Sequence, residues 1–498
     1  MKNVNSVVIF MYLFSFSNLF GSNGKQTYNI EFTKSLKEIR ASVKANITMR
    51  NDTLYIGEYG AWHEKEGWAS YISDIKVRNK NDKELELKKV DRLKWIIHED
   101  IIDREIYIEY KISFPYALPD FKWPSGPRST ASFYDGKGMV IQSESMFIYN
   151  SLESNTYVNF AVPETWKIST PWNELSNNHE YGNQSLKFLS KNVIVIGNYK
   201  EILIEESNFS SKLVLLGYKN PNLEIIEPIY RKILKHHTQV FNNKEKGNYL
   251  MVWFPDGEWQ TGEGYLGSYV VIKPQAPSES HIPFWANSMS HEIFHYWLGG
   301  KIDAQNWAES QWFSEGTTEL FANLSLIRNN IISEQQFFNL LQKHLVLYQH
   351  FRYKWGTPYD IISLIEAGSN KSEYNIAIYD AGTVTALYMD ILIRTQTNNT
   401  KSLEDLLKTL YIESMNDRGK KYTIEYVIKL CSFITGEDWT DFYEKYINGT
   451  EFLPIYEMFK KAGLDVIISQ SGVHIKKSKK INPLQRRIRK SIFGLIDN

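Results

Sequence analysis

"SMSHEIFHYWLGG", Ser288 to Gly300, decides how the rest of the chain is read. The protein holds only eleven histidines, yet two of them stand four residues apart here, with a glutamate directly after the first. A helix turns about 100° per residue, so positions i and i+4 share a face. His291 and His295 can therefore aim two imidazoles at one point, with Glu292 beside it. This is the H-E-x-x-H spacing in which two histidines hold zinc and the glutamate is left free as a base. The competing reading is coincidence on an amphipathic helix, so the surroundings have to decide.

Catalytic zinc takes three protein ligands and leaves a fourth position for water. Downstream, "NWAESQWFSEGTTELFANL" offers Glu309, Glu315 and Glu319. The pattern places Glu309 in a turn, begins a helix at Glu315 and sets Glu319 one turn later on the same face. Glu315 is the expected third ligand, and Glu319 the acceptor that orients a ligating imidazole. Trp285, Trp297, Trp307, Trp312 and Phe313 crowd this stretch. They read as core, with one or two as candidates for a hydrophobic substrate subsite.

The bulk properties narrow the function classes. At 498 residues and 43% hydrophobic content the chain can bury more than one core. Lys+Arg and Asp+Glu balance at 57 each, so no overall field points to nucleic acid. The single cysteine, Cys431, sits in a periodic apolar run and reads as a small buried hydrophobe. Residues 1–22 read as an export signal: Lys2, then the apolar run "SVVIFMYLFSFSNLF", then small residues near Gly21. The expectation is an exported protein, periplasmic or extracellular, with retention of that run as a membrane anchor as the alternative.

Residues 23–218 carry a period of two. "REIYIEYKISF" puts Ile106, Ile108, Tyr110, Ile112 and Phe114 on one face, and "RASVKANITM", "KNVIVIGNY" and "SKLVLLGY" have similar strand character. "VRNKNDKELELKKV" reads as strand, polar turn and strand. From 219 to 465 the chain turns mainly helical. "LEIIEPIYRKILKHHTQVF" forms an amphipathic helix with Pro228 expected in its first turn and His236 and His237 as surface or packing residues. A glycine-bearing loop then separates the strands "YLMVWF" and "SYVVI". Residues 466–498 form a basic tail with eight Lys/Arg after Ile475 and Leu484, Ile488, Ile492, Leu495 and Ile496 at helical spacing. It is expected as a frayed or docked end, with weak contact to an anionic membrane surface as the alternative.

The motif followed by "WFSEGTTELF" resembles the gluzincin metallopeptidases, and within them the glycyl aminopeptidase family, relatives of aminopeptidase N. "YDAGTVTALYMDILIR" (Tyr379 to Arg394) resembles that family's tyrosine-bearing helix, and "INGTEFLPIYEMFKKAGL" its catalytic-domain ending. The resemblance spans about residues 27–465. It implies a multidomain β + α fold, an N-terminal β-sandwich-like domain before a mainly helical, thermolysin-like catalytic domain. It also implies one Zn2+ per chain and a peptide or protein substrate. Zinc acidifies its water and polarises the scissile carbonyl, while Glu292 is free to move the proton. The resemblance implies Tyr379 as donor to the growing negative charge.

Two departures matter. In "GEGYLGS" (Gly262 to Ser268) the family carries a glutamate that holds a substrate's amino terminus. Gly264, Leu266 and Gly267 are the substrate-binding candidates, and Gly267 stands where that glutamate belongs. Glu263 is the nearest substitute. The first expectation is therefore an aminopeptidase-like zinc hydrolase. The alternatives are an endopeptidase with an opened cleft and a non-catalytic peptide-binding relative. Only about thirty residues follow Leu464, too few for the PDZ-like domain that family members often add. The G-x-G-x-x-G spelling of this loop is not a nucleotide site, because a strand-like run follows it where a helix is required.

Overall fold

The computed structural model describes residues 25–494, apart from 35–37, 59, 62–63, 100, 103, 116–131, 135–136, 177, 219, 256–260, 273–274, 354–360, 418 and 470–471. The expected leader, Leu495 and Ile496 lie outside the described residues. No helix among the described residues is long and apolar enough to cross a membrane.

The chain divides into two compact units. One comprises Met1–Pro115, Glu144–Pro163 and Asn173–Ser190, and the other Tyr116–Ser143, Glu164–Trp172 and Lys191–Asn498. The first is built on a seven-stranded sheet. Its order is Glu174–Ser176, Glu180–Ser185, Asn155–Ala161, Lys25–Lys34, Glu38–Thr48, Glu105–Pro115 and Ile72–Asn79. Alternation drives it: Ile106, Ile108, Tyr110, Ile112 and Phe114 are all buried. Ala41 and Val43 on the neighbouring strand pair with Ile112 and Tyr110, adding to the same apolar face. The second strand of the expected polar hairpin, Leu87–Lys89, pairs with Lys94–Ile97, while Ile72–Asn79 pairs with Glu105–Pro115. Alternation marks strands without choosing their partners.

The second unit combines sheet and helices. A five-stranded sheet runs Glu201–Glu206, Phe209–Leu215, Gly247–Phe254, Ser268–Ile272, Thr261–Gly264. Phe209–Leu215 lies parallel to Gly247–Phe254, so hydrogen bonds cross the boundary expected at residue 218. The strand-rich stretch ends there in sequence, but its last strands belong to the other unit. The glycine-bearing loop also differs from expectation, because Thr261–Gly264 is a strand, antiparallel to Ser268–Ile272 at the sheet's edge. Tyr269 explains this. Its ring lies across the glycine strand, and a Cβ on Gly262 would sit 2.0 Å from its hydroxyl.

Two helix details differ from the sequence expectation, the turn that holds Pro228 and the start of the helix before Glu315. The helix Leu223–Val240 starts early enough that Pro228 is in its second turn, and His236 and His237 are buried. The helix Trp307–Arg328 begins eight residues before Glu315, capped by Asn306, whose side chain accepts from the amides of Ala308 and Glu309. Glu309 is thus in the first helical turn. Trp285, Trp297, Trp312 and Phe313 are core, whereas Trp307 is 62% exposed.

The described part of the tail forms regular elements. Strands Leu464–Ser469 and Gly472–Lys477 form a hairpin, and Pro483–Phe493 forms a helix with a capping box from Asn482 and Gln485. Ile488, Ile492 and Phe493 are buried in the helical core, and Arg328 donates to the carbonyls of Ser491 and Ile492. Of the expected apolar stripe, Ile488 and Ile492 face the core, and the division expected at residue 466 falls within a strand of the same unit.

The helix that carries Glu315 crosses the helix that follows the Tyr379 turn at glycines. A Cβ on Gly316 would lie 2.2 Å from the carbonyl carbon of Gly382, and one on Gly382 would lie 2.5 Å from the Trp312 carbonyl oxygen. Gly382 opens the helix Gly382–Gln396. Gly316→Ala is expected to cost about 1–3 kcal/mol of stability through overpacking, seen as a lower thermal midpoint. An unchanged midpoint would show that the crossing is not this tight.

Candidate active site

The helix Ile282–Phe294 carries His291 in its last turn, and His295 caps its end. Each imidazole is held from behind. His295 Nδ1 lies 2.9 Å from the Leu298 carbonyl, and His291 Nδ1 lies 3.0 Å from Glu319 Oε2. Both partners are acceptors, so each Nδ1 carries the proton and each Nε2 presents a lone pair.

Those lone pairs converge. The two Nε2 atoms are 3.1 Å apart, and Glu315 Oε2 lies 3.1 Å from one and 3.0 Å from the other. One donor atom from each of His291, His295 and Glu315 falls within 4.8 Å of the rest. Three acceptors, His291 and Glu315 buried and His295 half-buried, repel unless a proton or a metal cation stands among them. Two nitrogens and one carboxylate oxygen suit a divalent ion of the zinc type with an open position. The donor set fits a metal, and the sequence expectation for the ligands coincides with this geometry.

The neighbouring groups were in part invisible from sequence. Glu315 Oε1 accepts from Lys371, whose ammonium also stands 5.1 Å from the centre of the Tyr379 ring. That ring lies 5.9 Å from the His291 ring. Tyr379 sits in a π-helical turn, Ala377–Ala381. Burial, then the Glu315 and Glu292 charges, holds its hydroxyl far above the usual tyrosine range. It therefore remains a neutral O–H donor.

Glu292 is half-buried beside the cluster. Burial pushes its carboxyl above the usual range, against the pull of His291 and His295. Tyr269 donates a hydrogen bond to its carboxylate, and the Tyr249 hydroxyl donates to its carbonyl at 3.0 Å. Neither tyrosine belongs to a motif. Glu319, the expected orienting acceptor, also takes hydrogen bonds on Oε1 from Asn287 at 3.1 Å and Asn323 at 3.0 Å. Burial alone would raise its carboxyl, but hydrogen bonds with His291 and His344 outweigh that and hold it well below the usual range.

The three residues expected to bind substrate separate. Gly264 reaches the site, where a Cβ would lie 3.6 Å from Glu292 Oε2. Leu266 and Gly267 are tied elsewhere: their amides donate to the Lys191 carbonyl at 3.1 Å and to Asn192 Oδ1 at 2.8 Å. Glu263 does not take over the missing glutamate's place. Gly262 and Gly264 face Tyr269 and Glu292, so strand alternation turns Glu263 to the opposite face.

The fold and this constellation define a peptidase built on an H-E-x-x-H helix. Residues 27–193 match the peptidase M61 N-terminal domain and residues 285–385 match M61 glycyl aminopeptidase, together more than half of the chain. The chain belongs to the M61 glycyl aminopeptidase family. Among solved structures, an aminopeptidase N family protein from Idiomarina loihiensis is similar over 92% of this chain and 82% of its own, with 16% identity and a TM-score of 0.71. An M1 zinc metallopeptidase from Deinococcus radiodurans is similar over 87% of this chain and 95% of its own, with 10% identity and a TM-score of 0.52. At these identities the likeness concerns the fold. No curated relative matches the sequence.

Removing the carboxylate behind His291 tests the ligand arrangement. Glu319→Ala is expected to weaken divalent-metal affinity about 10–100-fold, measured by chelator competition. Unchanged affinity would show that Glu319 does not orient the ligand.

Proposed function

We propose that this protein is an exported zinc-dependent peptidase in which Glu292 is the general base and Tyr379 the electrophilic donor. The observation that carries this reading is the convergence of three acceptors, two of them buried, with a carboxylate and a neutral phenol beside them. His291, His295 and Glu315 would hold one zinc ion, which when bound supplies Lewis acidity to a water and to the scissile carbonyl.

The chain's own groups do the rest. Glu292, steadied by Tyr269, takes the proton from the attacking water and passes it to the leaving amine. Its raised proton affinity suits both halves of that transfer. Tyr379 donates to the oxygen on which negative charge grows. A peptide would pass beside Thr261–Gly264, the strand whose Gly264 faces Glu292. Gly264, with no side chain, leaves room for it over Glu292. Export rests on residues 1–22, whose short basic start and apolar run have the make-up of a leader.

Aminopeptidase action follows the family. Internal cleavage is the second reading, favoured by the glycine loop: Gly267 stands where the resemblance calls for the anchoring glutamate, and strand alternation turns Glu263 away from Glu292. Product analysis by mass spectrometry on one peptide, free and acetylated at its amino terminus, separates the two. Removal of single residues from the free peptide alone supports an aminopeptidase, and internal cleavage of both supports an endopeptidase. In either case Glu292→Gln should lower kcat about 10²–10⁴-fold with zinc content unchanged. Zinc-loaded wild type that cleaves neither peptide would sink the peptidase reading.

A further inference from the structure

A second layer of buried polar groups runs from the metal cluster towards Tyr379. Behind His291, Glu319 uses both carboxylate oxygens: Oε2 for His291, and Oε1 for Asn287 and Asn323. His344, from the middle of the helix Glu334–Tyr353, stands on its far side. His344 Nε2 lies 3.5 Å from Glu319 Oε1, and His344 Nδ1 lies 2.7 Å from Asp380 Oδ1. Asp380 directly follows Tyr379 in the π-helical turn. His344 and Asp380 are both buried.

We infer that His344 is a positioning residue that couples the carboxylate orienting His291 to the turn that carries Tyr379. This rests on the zinc peptidase reading above and assigns a role that no sequence motif marks. A π-helical turn has an extra residue relative to the α-helix that follows it, so the helix ladder alone does not fix where its side chains point. The Asp380–His344 hydrogen bond supplies that fixing from outside the helix. His344 also answers an electrostatic demand. Two carboxylates, half-buried Glu319 and buried Asp380, flank one imidazole, and an imidazolium neutralises both. Burial alone would lower the proton affinity of His344, but Asp380 and Glu319 outweigh it and raise its pKa to about 9.

The alternative is that His344 merely packs one helix onto the body. The two roles differ in what they move. In the full-length protein, His344→Leu and the near-isosteric Asp380→Asn would be compared with wild type. The readouts are zinc affinity by chelator competition, the visible spectrum after cobalt substitution, and kcat and KM at saturating zinc. Positioning predicts zinc binding about 10–100-fold weaker in His344→Leu, with an altered cobalt spectrum. It also predicts kcat at least about tenfold lower in both variants, with KM within about twofold. Asp380→Asn serves as the test on its own if His344→Leu does not fold. Variants that melt earlier yet keep the zinc affinity, spectrum and kcat of wild type would overturn the inference. Wild type that binds no zinc would instead refute the reading on which it rests.

Discussion

The site depends on one electrostatic demand: three acceptors, two of them buried, aimed at the same point. His291 and His295 are locked with their protons turned outward, onto Glu319 and Leu298, which leaves both inner nitrogens as bare lone pairs against a carboxylate oxygen. With neutral imidazoles no hydrogen bond among the three can satisfy all of them, because the proton of each ring is already committed on the outer nitrogen. A cation resolves the conflict, and the elements that hold the acceptors bear the cost of keeping them together without one. Lys371 shares in this by neutralising the outer oxygen of Glu315.

Holding such a cluster requires helices close enough for short side chains to meet. The Gly316–Gly382 crossing provides that closeness, with each glycine nearly touching the other helix's backbone. Glu315 precedes one of these glycines and the Tyr379 turn precedes the other, so ligand and phenol are placed by the same contact. On the opposite side, Gly262 admits the Tyr269 hydroxyl to Glu292. Glycine here acts by what it leaves out. Both ends of the chemistry depend on backbone surfaces with no side chain between them.

How much of this could be read beforehand follows from the kind of pattern each feature leaves. The convergence of His291, His295 and Glu315 beside Glu292 was legible because helical periodicity fixes spacing, and H-E-x-x-H with a downstream glutamate pair is a spacing pattern. The strands were legible because burial alternates, as in the run from Ile106 to Phe114. What failed was anything decided at long range. Which sheet received the strand Phe209–Leu215, whether a glycine-rich segment formed an edge strand, and which face of that strand Glu263 took are settled by partners distant in sequence. The tail shows the same limit, since an amphipathic basic helix looks alike whether its apolar stripe meets lipid or, as here, the core. His344, Asp380, Lys371 and Tyr269 left no local signature because their roles come from three-dimensional neighbours alone.

The most direct test of this account is the metal centre itself. The measurement is X-ray absorption at the zinc edge together with anomalous diffraction on zinc-loaded crystals. The account expects a single zinc per chain, with His291 Nε2 and His295 Nε2 at about 2.0–2.1 Å and a Glu315 carboxylate oxygen at about 2.0–2.2 Å. A chain that takes up no zinc, or zinc found on other residues with these three left facing one another, would contradict it.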